Sequence, residues 1–331
     1  AAEHELPALG YVASAGALAA ALRKAVDAAG IPVFDETEIT NLAAGEDDVL
    51  ASLAGAGRPA PTLRARLAAC AEGGLRAGDP NVVEHDYGQH ALIADVQVAG
   101  GHRHTAFERF TYEGPVALLP KGQGYALVHV AHPETADALL ALDDEAYLAR
   151  LQAHIGGRAR LTSVGPRLRY PLVLRYRRST IAQRTVWLGN AAQTLHPVAG
   201  QGFNLALRDV WALADTVLKQ RDAWLAGASS GHARPGAPAA HTATSPAPGT
   251  GMQGATPFDA GRPELLAAYA RARGLDRLGT IRFTDTLVQV FSNDFAPLRH
   301  ARGAALLALD LLPPARNFLA RRMLFGARAW P

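Results

Sequence analysis

Apolar and polar positions recur with two different periods along this chain, and the changes of period mark out its parts. Tyr11 to Ser14 reads as the end of a strand, Ala15 to Ala29 as an amphipathic helix closed by Gly30, and Ile31 to Phe34 as a second strand. Short strands follow at Val49–Leu53 and Leu63–Ala69, the latter running into Ala71-Glu72-Gly73-Gly74. This is the end of an α/β unit. From Asp86 to His132 the pattern becomes antiparallel β, with His90–Val98, Thr105–Thr111 and Tyr125–Val130 separated by glycine-rich turns. Asp143 opens a helix through Leu151 with an acidic first turn. Leu161 to Tyr176 reads as a strand, with Pro166 and Pro171 tolerable only near edges or breaks.

Thr185 to Gly189 is a buried strand that enters a loop and then a helix, whose Phe203, Leu207, Val210, Ala214 and Val217 recur at helical spacing as an apolar stripe. Residues 226 to 261 are Ala, Gly, Pro, Ser and Thr with almost no large apolar side chain, the composition of a flexible insert. Helices are expected at Pro263–Leu278 and Thr280–Phe291, with a last helical region at Arg302–Ala327 broken at Pro313-Pro314.

Composition narrows the function classes. The chain has 331 residues, enough for about two domains of ~150 residues, and is 49% hydrophobic and 19% charged, a globular balance. Thirty-three basic against thirty acidic residues give a net charge of +3, too small for a dedicated nucleic-acid binder. The single cysteine, Cys70, excludes an internal disulfide and any multi-thiolate metal or cluster site. No stretch approaches the ~20 apolar residues of a membrane span, and the first residues lack a secretory pattern, so an intracellular, cytoplasmic location is expected. From Arg299 onward six arginines and one acidic residue, Asp310, mix with Leu, Phe and Trp. Such a segment suits an anionic membrane surface, or a solvated helix packed on the body.

The stretch that carries chemistry runs from Gly189 to Asp209, GNAAQTLHPVAGQGFNLALRD, between a strand and a long helix. Gly200 and Gly202 let backbone approach a ligand, and the amides of Phe203 and Asn204 are free at the helix N-terminus, where the dipole favours negative charge. Leu205 stands where a dinucleotide fingerprint would have its third glycine. By its residues alone, this is an anion or polar-cofactor site.

As a whole, the stretch resembles the second flavin-binding motif of the aromatic-ring flavoprotein monooxygenases, most closely the UbiH-type ubiquinone-biosynthesis hydroxylases. Ala106 to Pro120, AFERFTYEGPVALLP, resembles their substrate-domain strand pair; Arg184-Thr-Val leads into the motif as it does there; and Phe283 to Ser292 resembles their C-terminal helices. The fold this implies is α/β (α+β): a partial Rossmann-type flavin domain, an antiparallel-sheet substrate domain and a helical C-terminus. The segments would be residues 1–85 and 181–225 for the flavin domain, 86–180 for the sheet, 226–261 for the insert and 262–331 for the C-terminal helices.

The resemblance also implies residue roles. Gly189 and Asn190 would lie by the ribityl and pyrophosphate of FAD; Pro197, Gly200 and Gln201 would line the isoalloxazine; and the amides after Gly202, of Phe203 and Asn204, would face its N1 and C2 carbonyl. Glu72 and Gly73 match the family's Asp-Gly flavin motif, with Glu in place of Asp. The family's own start, a strand, a Gly-x-Gly-x-x-Gly turn and a helix, has no counterpart in this sequence, so residue 1 is expected to fall roughly a hundred residues into the family pattern.

The implied reaction is hydroxylation of a polyprenylated phenol, such as 2-polyprenyl-6-methoxyphenol, through a flavin C4a-hydroperoxide. It uses FAD, molecular oxygen, and NAD(P)H or another electron donor. The implied partners are the hydrophobic phenol, other ubiquinone-pathway proteins and the inner membrane, touched peripherally by the C-terminal helices. A chain lacking the pyrophosphate site would instead be a binding or scaffold module of that pathway, and hydroxylation of another aromatic substrate is the remaining alternative. Phe107, Phe110 and Leu118 are expected to line the phenol pocket, or to be ordinary sheet core. Among the twelve histidines none forms a metal-ligand set by spacing, and no metal is expected; His196, beside Pro197, is read as shaping the loop.

Overall fold

The computed structural model describes residues 6–55, 62–229, 257–292, 303–304, 307–309 and 311–325. Most of the insert and much of the basic C-terminal segment, including Arg299, Arg302 and Arg328, lie outside the described residues.

The chain opens with α1 (Ala15–Ala28), started by Ser14, whose hydroxyl accepts from the Ala17 amide. An antiparallel meander follows: β1 (Thr37–Ala44), β2 (Val49–Gly55) and β3 (Thr62–Ala65). Ile31 to Phe34, expected as a strand, is extended but unpaired, with Ile31, Val33 and Phe34 exposed. A strand needs a ladder partner, which apolar composition alone does not supply. The expected strand at 63–69 is two: β3 joins the meander, whereas β4 (Ala68–Cys70) belongs to another sheet.

The larger sheet is built on β5 (Val82–Val98), which pairs antiparallel with β8 (Gly124–Ala131), β10 (Leu168–Arg177) and β9 (Leu161–Val164). Next to β8 come β7 (Pro115–Lys121) and β6 (Phe107–Phe110). The expected strand at 161–176 is thus split at Gly165-Pro166. Helices α2 (Pro133–Ala141) and α3 (Asp144–Ile155) cover one face, burying Leu92, Val96, Leu118, Leu127, Tyr147 and Leu151. Helix α2 escaped the sequence reading because it is short; Pro133 at its first position and Glu134 behind it mark its start.

Strand β12 (Thr185–Trp187) pairs parallel with β4 and antiparallel with β11 (Ile181–Ala182). β13 (Gln193–Thr194) adds to β10 at the end of the large sheet. α4 (Gln201–Ser229) and α5 (Pro263–Phe291) pack together beside this small sheet over Val186, Leu188, Leu265 and Tyr269. α5 is one unbroken helix rather than two, because Gly279 lies where its neighbours Thr280 and Ile281 are buried and packing outweighs the ~1 kcal/mol glycine costs. α6 (Pro313–Phe325) ends the described chain.

The architecture is therefore mixed helix and sheet, as the sequence implied, with a large antiparallel sheet and long helices after it. Gly124 shows how tightly β8 meets β5: a Cβ there would stand 2.3 Å from the Val96 carbonyl oxygen. Gly124→Ala should cost about 2–3 kcal/mol by forcing the ladder apart, seen as a lower urea midpoint at unchanged slope.

Candidate flavin site

Two glycine-bearing turns meet because β4 and β12 run parallel. Trp187 pairs with Cys70, and the Leu188 amide donates to the Cys70 carbonyl at 2.9 Å, so Ala71-Glu72-Gly73-Gly74 and Gly189-Asn190 leave the same edge side by side. Ligands of α/β folds bind outside the carboxyl ends of such strands. Gly189 and Gly73 both take left-handed backbone (φ +57° and +102°), and around Gly73 and Gly74 a Cβ would meet nothing within 4 Å.

The chain then makes a short 3-10 turn at Pro197–Ala199, closed by Gly200 in left-handed conformation, and enters α4 at Gln201. Open space surrounds Gly200 and Gly202, and Phe203 and Asn204 are exposed in the first turn of α4. Asn190 and Glu72 are exposed as well, Gly189, Gly73 and Pro197 are half-buried, and Gln201 is buried. These uncluttered glycines at the start of a long helix fit the flavin side of an FAD molecule. They offer backbone donors to a polar ring edge without a side chain in the way.

What fixes this loop is a buried charge network that sequence reasoning passed over. Asp209 on α4 accepts from the Gly189 amide (3.2 Å) and from Gln193 Nε2 (2.7 Å), and its other oxygen accepts from Arg273 Nε on α5 at 2.8 Å. Arg273 also donates to Asp276, which accepts from Arg208 Nε at 2.9 Å. Arg277 donates to Gln193 Oε1 at 2.6 Å and to the Arg177 carbonyl at 2.7 Å. Asp209 and Arg273 are only 1% and 4% exposed.

This network also corrects the apolar stripe expected on α4. Phe203, Leu207, Val210 and Ala214 are exposed, whereas Leu205, Asp209 and Ala212 face the core, with Val217 packed at its margin. The helix is turned so that Asp209 meets Arg273, and apolar periodicity is blind to a charge that is buried with its partner.

His196 caps the 3-10 turn: its Nδ1 accepts from the Val198 amide at 3.0 Å. Its ring meets Tyr87 edge-on at 5.1 Å, and the Tyr87 hydroxyl donates to Asp285 of α5 at 3.0 Å. Burial pulls the His196 imidazole down to about 4, keeping it neutral. The loop-shaping reading is what this geometry supports. Among the described residues, no group of three or more His, Cys, Asp and Glu side chains is placed to hold a metal ion.

The expected phenol-pocket trio is divided by the sheet. β6 pairs Phe107 with Leu118 and Phe110 with Pro115, and the three-residue step between Phe107 and Phe110 puts them on opposite faces. Phe107 and Leu118 belong to the helix-backed core, so they are corrected to core residues. Phe110 is on the other face and stacks on Phe291 of α5 at 4.3 Å between ring centres. That inner face also carries Ala91, Val130 and Leu172, with Tyr87 packed against them.

A model of the FAD binding domain family matches residues 10–235. The chain belongs to this family. It is similar to the ubiquinone hydroxylase UbiL of Rhodospirillum rubrum, 31% identical over 276 residues, which cover 82% of this chain and 57% of UbiL. It is also similar to the 3-demethoxyubiquinol 3-hydroxylase of Escherichia coli, 28% identical over 319 residues, covering 94% of this chain and 71% of that protein. The chain thus spans little more than half the length of UbiL. Among solved structures, the OxyS anhydrotetracycline hydroxylase from Streptomyces rimosus shares the fold, with a TM-score of 0.57 at 18% identity over 92% of this chain and 54% of that one. The family's cofactor is FAD.

Two outcomes test this site. Asp209→Ala leaves Arg273 buried with Asp276 alone and frees the Gly189 amide, and should destabilise the fold by about 3–5 kcal/mol in chemical denaturation. His196 and His129, both held down to about 4 by burial, resist protons that the unfolded chain takes up below its ordinary 6.5. Stability should therefore be full above about pH 6.5 and fall as the pH drops toward about 4, with His196→Asn, which keeps the cap, making the fall shallower.

Proposed function

We propose that this protein is an FAD-dependent monooxygenase that hydroxylates a polyprenylated phenol, of the 2-polyprenyl-6-methoxyphenol type, in ubiquinone biosynthesis. The observation that carries this reading is the parallel β4–β12 pair, which delivers both glycine turns beside the N-terminus of α4. Its setting among ubiquinone hydroxylases supports the pathway.

Glu72, Gly73, Gly189 and Asn190 would hold the ribityl and phosphate side of the cofactor, and Pro197, Gly200, Gln201 and Gly202 would border its ring. The amides of Phe203 and Asn204, at the positive end of the α4 dipole, would favour the negative charge of the reduced ring. Bound FAD, reduced by NAD(P)H or another donor, supplies the redox chemistry that hands one atom of molecular oxygen to the substrate. The chain's own task is to hold the phenol ring and keep water out, for which the apolar inner sheet face beneath α5, with Phe110 and Val130, is suited.

A prenylated substrate resides in lipid. Leu311, Leu312 and Phe318 are exposed at and before α6, and Arg316 and Arg321 lie in the same helix, which supports peripheral contact with the anionic inner membrane and with other proteins of the pathway. Among the described residues no helix is long and apolar enough to cross a membrane.

Titrating the purified chain with FAD should produce a protein-bound flavin absorption spectrum, and adding reductant, oxygen and a short-chain prenylphenol should yield a product heavier by one oxygen on mass spectrometry. Flavin uptake without hydroxylation of any prenylphenol would reject the substrate assignment. If neither this chain nor one extended upstream took up flavin, the hydroxylase reading would fail.

A further inference from the structure

Asp209 fastens the first half of the flavin loop through the Gly189 amide and the Gln193 side chain. The second half, from His196 to Gly200, is met from the large sheet instead, and two residues of β5 leave the ladder to do so. Gln89 pairs with Leu172 of β10 and Asp86 with Val173, so Tyr87 and Gly88 have no partner on β10, and the register with β8 begins only at His90. Gly88 takes left-handed backbone (φ +61°), and its amide donates to Asp86 Oδ1 at 2.9 Å. A bulge of this kind re-aims a side chain out of the alternation of its strand.

The side chain it re-aims is Tyr87, which is then held on two elements. Its hydroxyl donates to Asp285 Oδ1 of α5 at 3.0 Å, while Asp285 Oδ2 accepts from Gln289 Nε2, one turn on, at 2.9 Å. Its ring packs on the inner sheet face with Ala91, Val130 and Leu172, and meets His85 edge-on at 4.9 Å. Toward the loop the ring meets His196, also edge-on, with centres 5.1 Å apart.

The His196 imidazole leans on that contact. Its Nδ1 accepts from the Val198 amide at 3.0 Å, which leaves the proton on Nε2, and Nε2 is buried without a hydrogen-bond partner among the described residues. One end of the ring is therefore fixed by the cap it makes, and the other by packing. The turn that His196 caps ends at Gly200, in open space.

We propose that Tyr87 is a positioning residue of the flavin site: aimed by the bulge in β5 and tied to α5, it holds the His196-capped turn, and with it Pro197 to Gly200, in place for the flavin ring. This rests on the loop holding the family's FAD as set out above. An edge-to-face pair has a preferred geometry, so the sheet and the turn are set at one distance and angle. Transfer between a ring on the loop and a substrate on the sheet requires that kind of fixed separation.

The test is flavin binding, read apart from turnover. FAD is titrated into the chain, or into one extended upstream, and both the affinity and the shape of the visible flavin bands are recorded. Tyr87→Ala should weaken binding about ten-fold and shift the bands, because a displaced turn changes the surroundings of the ring. Tyr87→Phe keeps the ring against His196 and loses only the bond to Asp285, and should stay within about three-fold of wild type. Tyr125→Phe, which removes hydroxyl bonds to the His102 and Thr105 carbonyls elsewhere in the sheet, controls for lost stability and should leave both readings unchanged. His196→Asn keeps the cap but not the ring, so its loss of affinity should fail to add to that of Tyr87→Ala in the double variant. Should circular dichroism show Tyr87→Ala unfolded, Tyr87→Leu, which keeps apolar bulk on the face, carries the same expectations. Wild-type affinity and bands in the Tyr87 variant, or losses that add in full, would show that Tyr87 has no such role while the flavin reading survives. If neither the wild-type chain nor its extended form takes up FAD, the flavin reading itself falls, and this proposal with it.

Discussion

The pairing of Asp209 with Arg273 is the contact on which the arrangement of this protein turns. One carboxylate gathers the Gly189 amide, the Gln193 side chain and an arginine from another helix. It therefore ties the strand-to-loop corner, the loop and both long helices into one unit. Burying a charge pair is seldom worth much in stability compared with apolar packing, but its hydrogen bonds demand fixed geometry. That demand falls on the segment from Gly189 to Gln201, whose glycines are held in left-handed conformations, Gly189 close against Ala206 and Gly200 in open space.

The same unit links the two halves of the fold. Arg277 lies one turn beyond Arg273 on α5 and reaches Gln193 and the carbonyls of Arg177 and Ala192, where β13 joins β10. Arg177 adds its own bond to the Ala191 carbonyl and lies over the Trp187 ring at 4.5 Å. The large antiparallel sheet is thus oriented on the small mixed one through arginines. Their planar, multiple donors satisfy several carbonyls at once in a way lysine could not. The arginine-rich composition has structural use at these positions, whatever its origin elsewhere in the chain.

Much of this was legible in the sequence. Alternation and glycine turns located β8, the centre of β6 and the second half of β5, while β7 was legible only in the family resemblance of Ala106 to Pro120; the stretch from Gly189 to Asp209 marked the loop and its helix. The failures share a cause. Ile31–Phe34, the division of 63–70 between two sheets, and the rotation of α4 all depend on what lies opposite in space, and local pattern carries no information about that. Phe107, Phe110 and Leu118 could have been sorted earlier, because an odd step along a strand already places two side chains on opposite faces. Asp209 and Arg273 were beyond such reading: 64 residues separate them, and nothing near either one announces the other.

The residues on either side of the Ala, Gly, Pro and Ser segment are fastened independently of it. α4 is held from one side by Asp209, and on the other side Arg184 grips Asp259 with two bonds of 2.8 Å while Gly261 fits against the Arg66 carbonyl too closely for any side chain. The covalent connection between Ser229 and Pro257 is therefore not what keeps the two helices together. The segment there can be lengthened or shortened at little thermodynamic cost, since the entropy of loop closure grows only slowly with length. Insertions between Ser229 and Pro257 should therefore be tolerated, with the arginine-carboxylate contacts on either side keeping the helices in place.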